Sequence, residues 1–388
     1  MRAFAFLGQG RVGIIDKPVP EPGPLDAVVR TTAALICTSD VHTVAGGIPL
    51  PEGRVLGHES VGIVHRVGSD VRRFKEGDRV AVGAATPCGC CDGCQRGFPA
   101  QCGGMLGAYK FTAQKDGSLA EYFHVNDADY NLALIPAGLS DEQALYTTDM
   151  MSTGFAGAER AAIPMGGSVA IFAQGPVGLC ATIGAKLRGA GLIIAVESRP
   201  ERAALARRFG ADVVIDPFAE DPVRRIFELT GDGVDSAIEA LGHPSTFEAC
   251  VKATRPGGVI ANVSYHEAGT PLTIPLPEFG LGMSDKAIHA VLCVGGRVRT
   301  QRLLQLIETG KVDPTPMTTH RFGFGEVEQA FRLMATKGDG IVKPLIRFWR
   351  PPRQSASASW LNTCCSSSAT ECASIFCIRR PRCTSTVL

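Results

Sequence analysis

The chain has 388 residues, 45% apolar and 20% charged, which is enough for two domain-sized cores and too apolar for a disordered chain. Lys and Arg total 39 against 38 Asp and Glu, so global charge gives no reason to expect a nucleic-acid or acidic-membrane partner. No apolar run reaches the ~20 residues that span a bilayer, and Met1-Arg2-Ala3-Phe4 opens no signal peptide.

Residues 1–152 read as β-rich: short runs such as Ala27–Arg30 and Ser60–Val64 are cut by Gly, Pro and Asp turns, and Gly77-Asp78-Arg79-Val80 reads as a turn entering a strand. From residue 153 the rhythm changes. Ser168–Phe172 is a short apolar run of the buried parallel-strand kind, followed by a glycine-bearing turn and a helical stretch from Val177 to Arg188. Leu192–Val196, a helical Pro200–Phe209 and Asp212–Ile215 continue the alternation, with Val234–Ile238 and Val259–Val263 as further strands. Strands alternating with helices predict a doubly wound α/β domain over residues 153–293. Residues 294–349 return to a helix-and-strand mixture able to pack on the first domain. Residues 350–388, rich in Ser, Cys and Arg without an amphipathic period, read as a disordered tail or a frameshifted end.

Cysteine is abundant, at 14 residues, and clustered. Without a secretory signal a tight group reads as metal ligation in a reducing cytosol rather than as disulfides, which places the chain in the cytoplasm. Cys88-x2-Cys91-x2-Cys94-x7-Cys102 supplies four thiols in one short stretch, the set that closes a structural zinc tetrahedron. Disulfides or a redox-labile thiol cluster are the competing readings, and Cys90 is a fifth thiol outside the four. A second group is dispersed: Cys37 and His42 in Cys37-Thr38-Ser39-Asp40-Val41-His42, and His58 and Glu59 in Gly57-His58-Glu59. Singly these have bland readings, Cys37 as a small buried hydrophobe, His58 as a core histidine and Glu59 as a surface charge.

Ala173-Gln174-Gly175-Pro176-Val177-Gly178 follows the first strand of the α/β half and fits G-x-G-x-x-G with Ala in first place. Gly175 would let backbone approach a pyrophosphate, Gly178 would let helix and strand pack, and the helix N-terminus at Pro176 and Val177 would face the phosphates. Glu197 ends the second strand, where a carboxylate accepts ribose hydroxyls and repels a 2′-phosphate; this favours NAD, with NADP as the alternative because Arg199 could pair with that phosphate.

Together these motifs carry a resemblance. Gly57-His58-Glu59-Ser60-Val61-Gly62, with Gly68 and Val71 following, resembles the signature of the zinc-containing medium-chain alcohol dehydrogenases. The four-cysteine lobe and the dinucleotide turn follow in that family's order, and the likeness covers residues 1–348. It implies a GroES-like β-rich catalytic domain joined to a doubly wound parallel-sheet Rossmann domain. Glu121–Asp129, Thr148–Phe155 and Gly184–Ala190 are most similar to the bacterial secondary-alcohol (isopropanol-type) members. Those with the best match lack the lobe, use NADP and carry Gly where this chain has Glu197. The resemblance implies two zinc ions per chain. The catalytic one is held by Cys37, His58 and Asp149, with Glu59 beside it as a transient ligand. It further implies a proton relay through Ser39 and His42, Asp40 holding the other ring nitrogen of His58, and Thr153 near the nicotinamide. The substrate is a small alcohol or the matching carbonyl, and the assembly a homotetramer or dimer. Two readings compete: a polyol or threonine dehydrogenase on the same scaffold, and a zinc-ribbon binding module with a redox-sensing Rossmann half.

Overall fold

Gly- and Pro-bounded apolar runs become strands in the computed structural model, which describes residues 1–348 apart from 267, 268 and 270. The expected tail, 350–388, lies outside the described residues. Strands β1 (Arg2–Phe6) and β2 (Val12–Asp16) form a hairpin. β3 (Ala27–Leu35), β4 (Glu59–Val67), β5 (Arg79–Val82), β6 (Tyr122–Val125) and β7 (Leu132–Leu134) belong to a larger sheet. β8 (Ser168–Phe172), β9 (Leu192–Val196), β10 (Val213–Ile215), β11 (Val234–Glu239), β12 (Thr254–Asn262) and β13 (Ala287–Ala290) form a second sheet. Its strands pair in parallel, in the order β10-β9-β8-β11-β12-β13. That order has the doubly wound reversal beside β8, where ligands bind at the carboxyl ends of strands.

The last two strands, β14 (Thr318–Gly323) and β15 (Lys343–Arg347), return to the first sheet: β15 pairs antiparallel with β3, with Leu345 opposite Leu35. The chain therefore leaves the β-rich part, builds the parallel sheet, and comes back to complete the sheet it left. The run Lys343-Pro344-Leu345-Ile346 is buried throughout and only Arg347 at the strand's end is exposed, so this strand sits inside the core.

One apolar core crosses from the first sheet to the second. It joins Leu35, Val61 and Ala81 through Met150, Met151 and Phe155 to Leu179, Ile183 and Ile238. The helix Met150–Arg160 carries that continuity, and it lies close against the helix Pro176–Leu187. Gly154 permits the approach, since a Cβ there would stand 2.6 Å from Ala181 N and Val177 O. Any larger side chain would push the two helices apart.

At the start of the parallel sheet Asp235 accepts hydrogen bonds from the Ser168 amide (2.7 Å) and hydroxyl (2.9 Å) and from Arg255 Nε (2.8 Å). Burial works to raise its pKa, but these donors outweigh it and hold the carboxyl below its ordinary value. A carboxylate depressed in the fold stabilises it fully above the unfolded pKa of about 4, and that stabilisation fades as pH falls through the lower folded value. Asp235→Asn is expected to cost about 1.5–3 kcal/mol at pH 7, with the deficit narrowing below pH about 4. Thermal melts across pH 3–7 check this, and a deficit that is the same at pH 3 and pH 7 would contradict it.

Candidate metal and dinucleotide site

β3 and β4 are antiparallel neighbours with Leu35 opposite Glu59, so the end of one lies beside the start of the other. That pairing puts Cys37, just past β3, near His58, just before β4. Gly57 turns the chain with φ +88°, and a Cβ there would stand 2.4 Å from Leu119 Cγ; only glycine presents His58 this way. Asp149 arrives separately, as the N-cap residue of the helix Met150–Arg160. One donor atom from each of Cys37, His58, Glu59 and Asp149 lies within 4.8 Å of the others. Asp149 Oδ2 is 4.0 Å from Cys37 Sγ and 3.6 Å from His58 Nε2, and Nε2 is 4.0 Å from Glu59 Oε1.

The pocket is buried and acidic. His58, Glu59 and Asp149 are all buried, so the reading of Glu59 as a surface charge fails. Its neutralising partner is Lys343 on β15, itself 1% exposed, whose Nζ donates to Glu59 Oε1 at 2.9 Å and stands 2.7 Å from Oε2. Oε2 still lacks a hydrogen bond of proper geometry. Burial opposes charge on His58, but Tyr109, Asp40 and Asp149 overcome it and raise the ring's pKa well above the usual histidine range. Burial likewise opposes charge on Asp149, yet the His58 contact and the Thr153 hydroxyl hold its carboxyl well below the usual carboxylate range. Burial pushes Lys343 down, while Glu59 and Cys37 push it further up. Acidic neighbours thus favour the cationic forms of His58 and Lys343, and these in turn favour the anionic form of Asp149. A thiol, an imidazole and two carboxylates within reach of one point, with an orphaned oxygen, fit a divalent cation of the zinc kind.

The surrounding residues sort clearly. Ser39 Oγ is 3.4 Å from His58 Nε2, on the ring edge that faces the cluster. His42 ends the same short helix, Thr38–His42, and is exposed. Asp40 is buried; its oxygens accept from the Cys37 amide (2.9 Å) and the Gly57 amide (3.1 Å), and Oδ1 is 3.6 Å from His58 Nδ1. It thus fixes the backbone on both sides of the cluster more tightly than it holds the ring. Thr153 donates its hydroxyl to Asp149 Oδ1 at 2.8 Å, so it orients the carboxylate. Lys343 and Tyr109, whose hydroxyl lies 3.3 Å from His58 Nδ1, escaped sequence reasoning. A lysine inside the apolar run Ile341–Ile346 was a visible signal; for Tyr109 there was none.

Cys88, Cys91, Cys94 and Cys102 also gather their sulfurs within 4.8 Å. Cys91 Sγ lies 3.6 Å from that of Cys94 and 3.9 Å from that of Cys102, close to the ~3.8 Å edge of a tetrahedron with ~2.3 Å metal–sulfur bonds. The Cys91 amide points at Cys88 Sγ and the Gly103 amide at Cys91 Sγ, as thiolate ligands require. Burial raises the Cys88 thiol, but the Cys90 and Cys91 amides bring it down to about 6. No disulfide joins the described cysteines, and the exposed Cys90 lies 3.5 Å from Cys88 Sγ.

The nucleotide turn has its own constraints. Ala173 adopts φ +71°, the left-handed conformation that a first glycine would adopt freely. A Cβ on Gly178 would stand 2.0 Å from Ala173 O, whereas one on Gly175 would meet nothing nearer than Arg202 Nη1 at 3.9 Å. Gly175 therefore leaves an open approach at the N-terminus of the helix Pro176–Leu187, the cradle a pyrophosphate needs. Glu197 is buried and accepts from the Gln174 amide (2.8 Å) and the Ser198 (3.0 Å) and Arg199 (2.9 Å) amides. Arg199 Nη1 donates to Lys337 O at 3.0 Å, and Lys337 Nζ donates to Thr38 Oγ1, beside Cys37, at 2.9 Å. Thr38, next to Cys37, is thus connected through Lys337 to Arg199, two residues past Glu197.

The β-rich sheet, the parallel sheet and the two donor clusters define a zinc-type oxidoreductase that uses a dinucleotide. Family models match on both halves, the alcohol dehydrogenase GroES-like domain over residues 23–137 and the zinc-binding dehydrogenase over 176–309. The chain belongs to the zinc-containing medium-chain alcohol dehydrogenases. It is 48% identical to the NADP-dependent isopropanol dehydrogenase of Thermoanaerobacter brockii over 89% of this chain and 99% of that one. It is 43% identical to an alcohol dehydrogenase of Cupriavidus necator over 89% and 98%. Alcohol dehydrogenase TADH from Thermus sp. ATN1 superposes with a TM-score of 0.80, at 31% identity, over 89% of this chain and 99% of that one.

Lys343→Met should strand the buried Glu59 charge and destabilise the fold by about 3–5 kcal/mol, with Glu59→Leu in the same chain recovering most of it. Urea denaturation measures both. A single-variant loss below ~1 kcal/mol would mean that the pair does not neutralise the pocket.

Proposed function

We propose that the chain is a zinc-dependent dehydrogenase of small secondary alcohols, interconverting them with ketones at the expense of NAD. The observation that carries the reading is the convergence of Cys37, His58 and Asp149, with Glu59 beside them, on one buried point linked to the nucleotide turn. Cys37, His58 and Asp149 would hold the catalytic zinc and the four-cysteine lobe a structural one. The bound zinc supplies Lewis acidity to the oxygen of the alcohol or carbonyl.

The chain's own residues do the rest. Thr153 fixes the carboxylate of Asp149, and Lys343 keeps Glu59 paired until it is needed beside the cluster. Ser39, next to the ring edge facing the cluster, takes the substrate hydroxyl's proton by hydrogen bond. His42, one helical turn on and exposed, passes it to solvent, a task suited to an imidazole. The open face of Gly175 admits the pyrophosphate, and hydride transfer is the nicotinamide's chemistry once the cofactor is placed.

Secondary alcohols are favoured over polyols and threonine by the Asp149 ligand in its Met150-Met151-Ser152-Thr153 context and by the relatives' names. Those names include NADP, and on this point the chain's own residues argue otherwise. Glu197 places a buried carboxylate where the adenosine ribose would lie, and a 2′-phosphate there meets like charge. Among the described residues the cysteines are free thiols, and no helix is long and apolar enough to cross a membrane, which suits a cytoplasmic enzyme. Leu272, Ile274, Leu276, Leu281 and Met283 are exposed near the edge strand β13, which supports a homo-oligomer.

Steady-state kinetics with 2-propanol, a primary alcohol, sorbitol and threonine, each with NAD and NADP, test the reading. The highest kcat/KM should fall on 2-propanol with NAD, and Glu197→Gly should shift the NAD/NADP ratio by about tenfold or more, at least 1.4 kcal/mol, toward NADP. A ratio unmoved by that substitution would remove Glu197 as the selector. Metal analysis should find two zinc per chain, falling to one in His58→Ala together with loss of turnover. Turnover retained without the second zinc would refute the mechanism.

A further inference from the structure

For His58 to offer Nε2 to a metal, its proton must sit on Nδ1, and that N–H needs an acceptor. Two oxygens stand nearby. Asp40 Oδ1 is 3.6 Å away, beyond hydrogen-bond reach, and its carboxylate already serves the Cys37 and Gly57 amides. Tyr109 Oη is nearer, at 3.3 Å. Its ring also meets the imidazole edge-on, with centroids 5.4 Å apart and planes at 69°. The tyrosine therefore constrains both the proton and the tilt of the ring.

Tyr109 comes from the chain that leaves the four-cysteine lobe after Cys102. Its backbone is tied in place: its amide donates to Leu106 O (3.0 Å), the Ala108 amide to Ala100 O (3.3 Å), and the Thr86 amide to Ala108 O (2.8 Å). The lobe closed by the cysteines is thus the platform that aims the hydroxyl at His58.

We infer that Tyr109 is the positioning residue for His58, fixing its tautomer and ring plane, and that through it the four-cysteine lobe sets the geometry of the catalytic cluster. This rests on the reading of His58 as a metal ligand. It gives the lobe a function in metal retention at the other site, beyond holding its own loop together.

The test replaces zinc with cobalt(II) in the full chain and compares wild type with Tyr109→Phe, which removes only the oxygen. Tyr109→Trp, aromatic but without an oxygen at that place, is the second variant should the first fold poorly. The readouts are the visible ligand-field spectrum and the rate at which each metal passes to a chelator. In Tyr109→Phe one of the two metals should leave about 10–100-fold faster and its bands should shift, while the other leaves at the wild-type rate. The melting temperature should barely move. Unchanged spectrum and release in the folded variants would overturn the inference and return the ring to Asp40. Wild type binding one metal with an all-sulfur ligand field would instead remove His58 as a ligand, and both readings would fall together at that first step.

Discussion

Four ligand-type side chains share a buried space in which their donor atoms lie within 4.8 Å, and such a group is stable only around positive charge. Lys343 supplies one positive charge from the far side of Glu59, and the remaining electrostatic demand falls at the centre of the group. The raised pKa of His58 reports the same demand. The fold is organised to create this spot. The β3–β4 pairing aligns Cys37 with His58, the return strand β15 inserts Lys343, and a helix N-cap contributes Asp149.

That helix also explains how chemistry at the cluster can reach a dinucleotide. Met150–Arg160 begins at the metal end and packs, at Gly154, against the helix that starts at Gly175. A second connection runs from Thr38 through Lys337 to Arg199, across the junction between the β-rich sheet and the parallel sheet. Two links thus connect the elements that would hold the cation to those that would hold the dinucleotide, a spacing that hydride transfer would need kept tight. The chain's return to its first sheet then serves the site directly, because Lys337 and Lys343 both belong to the returning segment.

Much of this was legible in the sequence because its signals are local. Short apolar runs broken by turn residues gave β8 and β9 to the residue and β10 and β11 to within one, while β12 begins five residues before the expected run and the short edge strand β13 was missed; the cysteine spacing marked the lobe. Gly57-His58-Glu59 and the Gly175–Gly178 turn were recognisable because a side chain at Gly57 or Gly178 would collide with its neighbours. Long-range partners were hidden. Lys343 pairs with Glu59 across 284 positions, and nothing in its neighbourhood names that partner. Tyr109 meets His58 through the path of a loop whose course depends on four sulfurs converging. Asp40 and Thr153 were picked out by resemblance, and the structure adds contacts the sequence did not show: Asp40 also ties down two backbone amides, and Thr153 donates to Asp149.

X-ray absorption at the zinc edge of the purified full chain reads the donor atoms directly. The structure predicts a mixture, one zinc with four sulfurs near 2.3 Å and another with a single sulfur and nitrogen and oxygen donors near 2.0–2.1 Å, which averages to about two and a half sulfurs per metal. A spectrum with sulfur alone, or one with nitrogen and oxygen alone, would contradict the account.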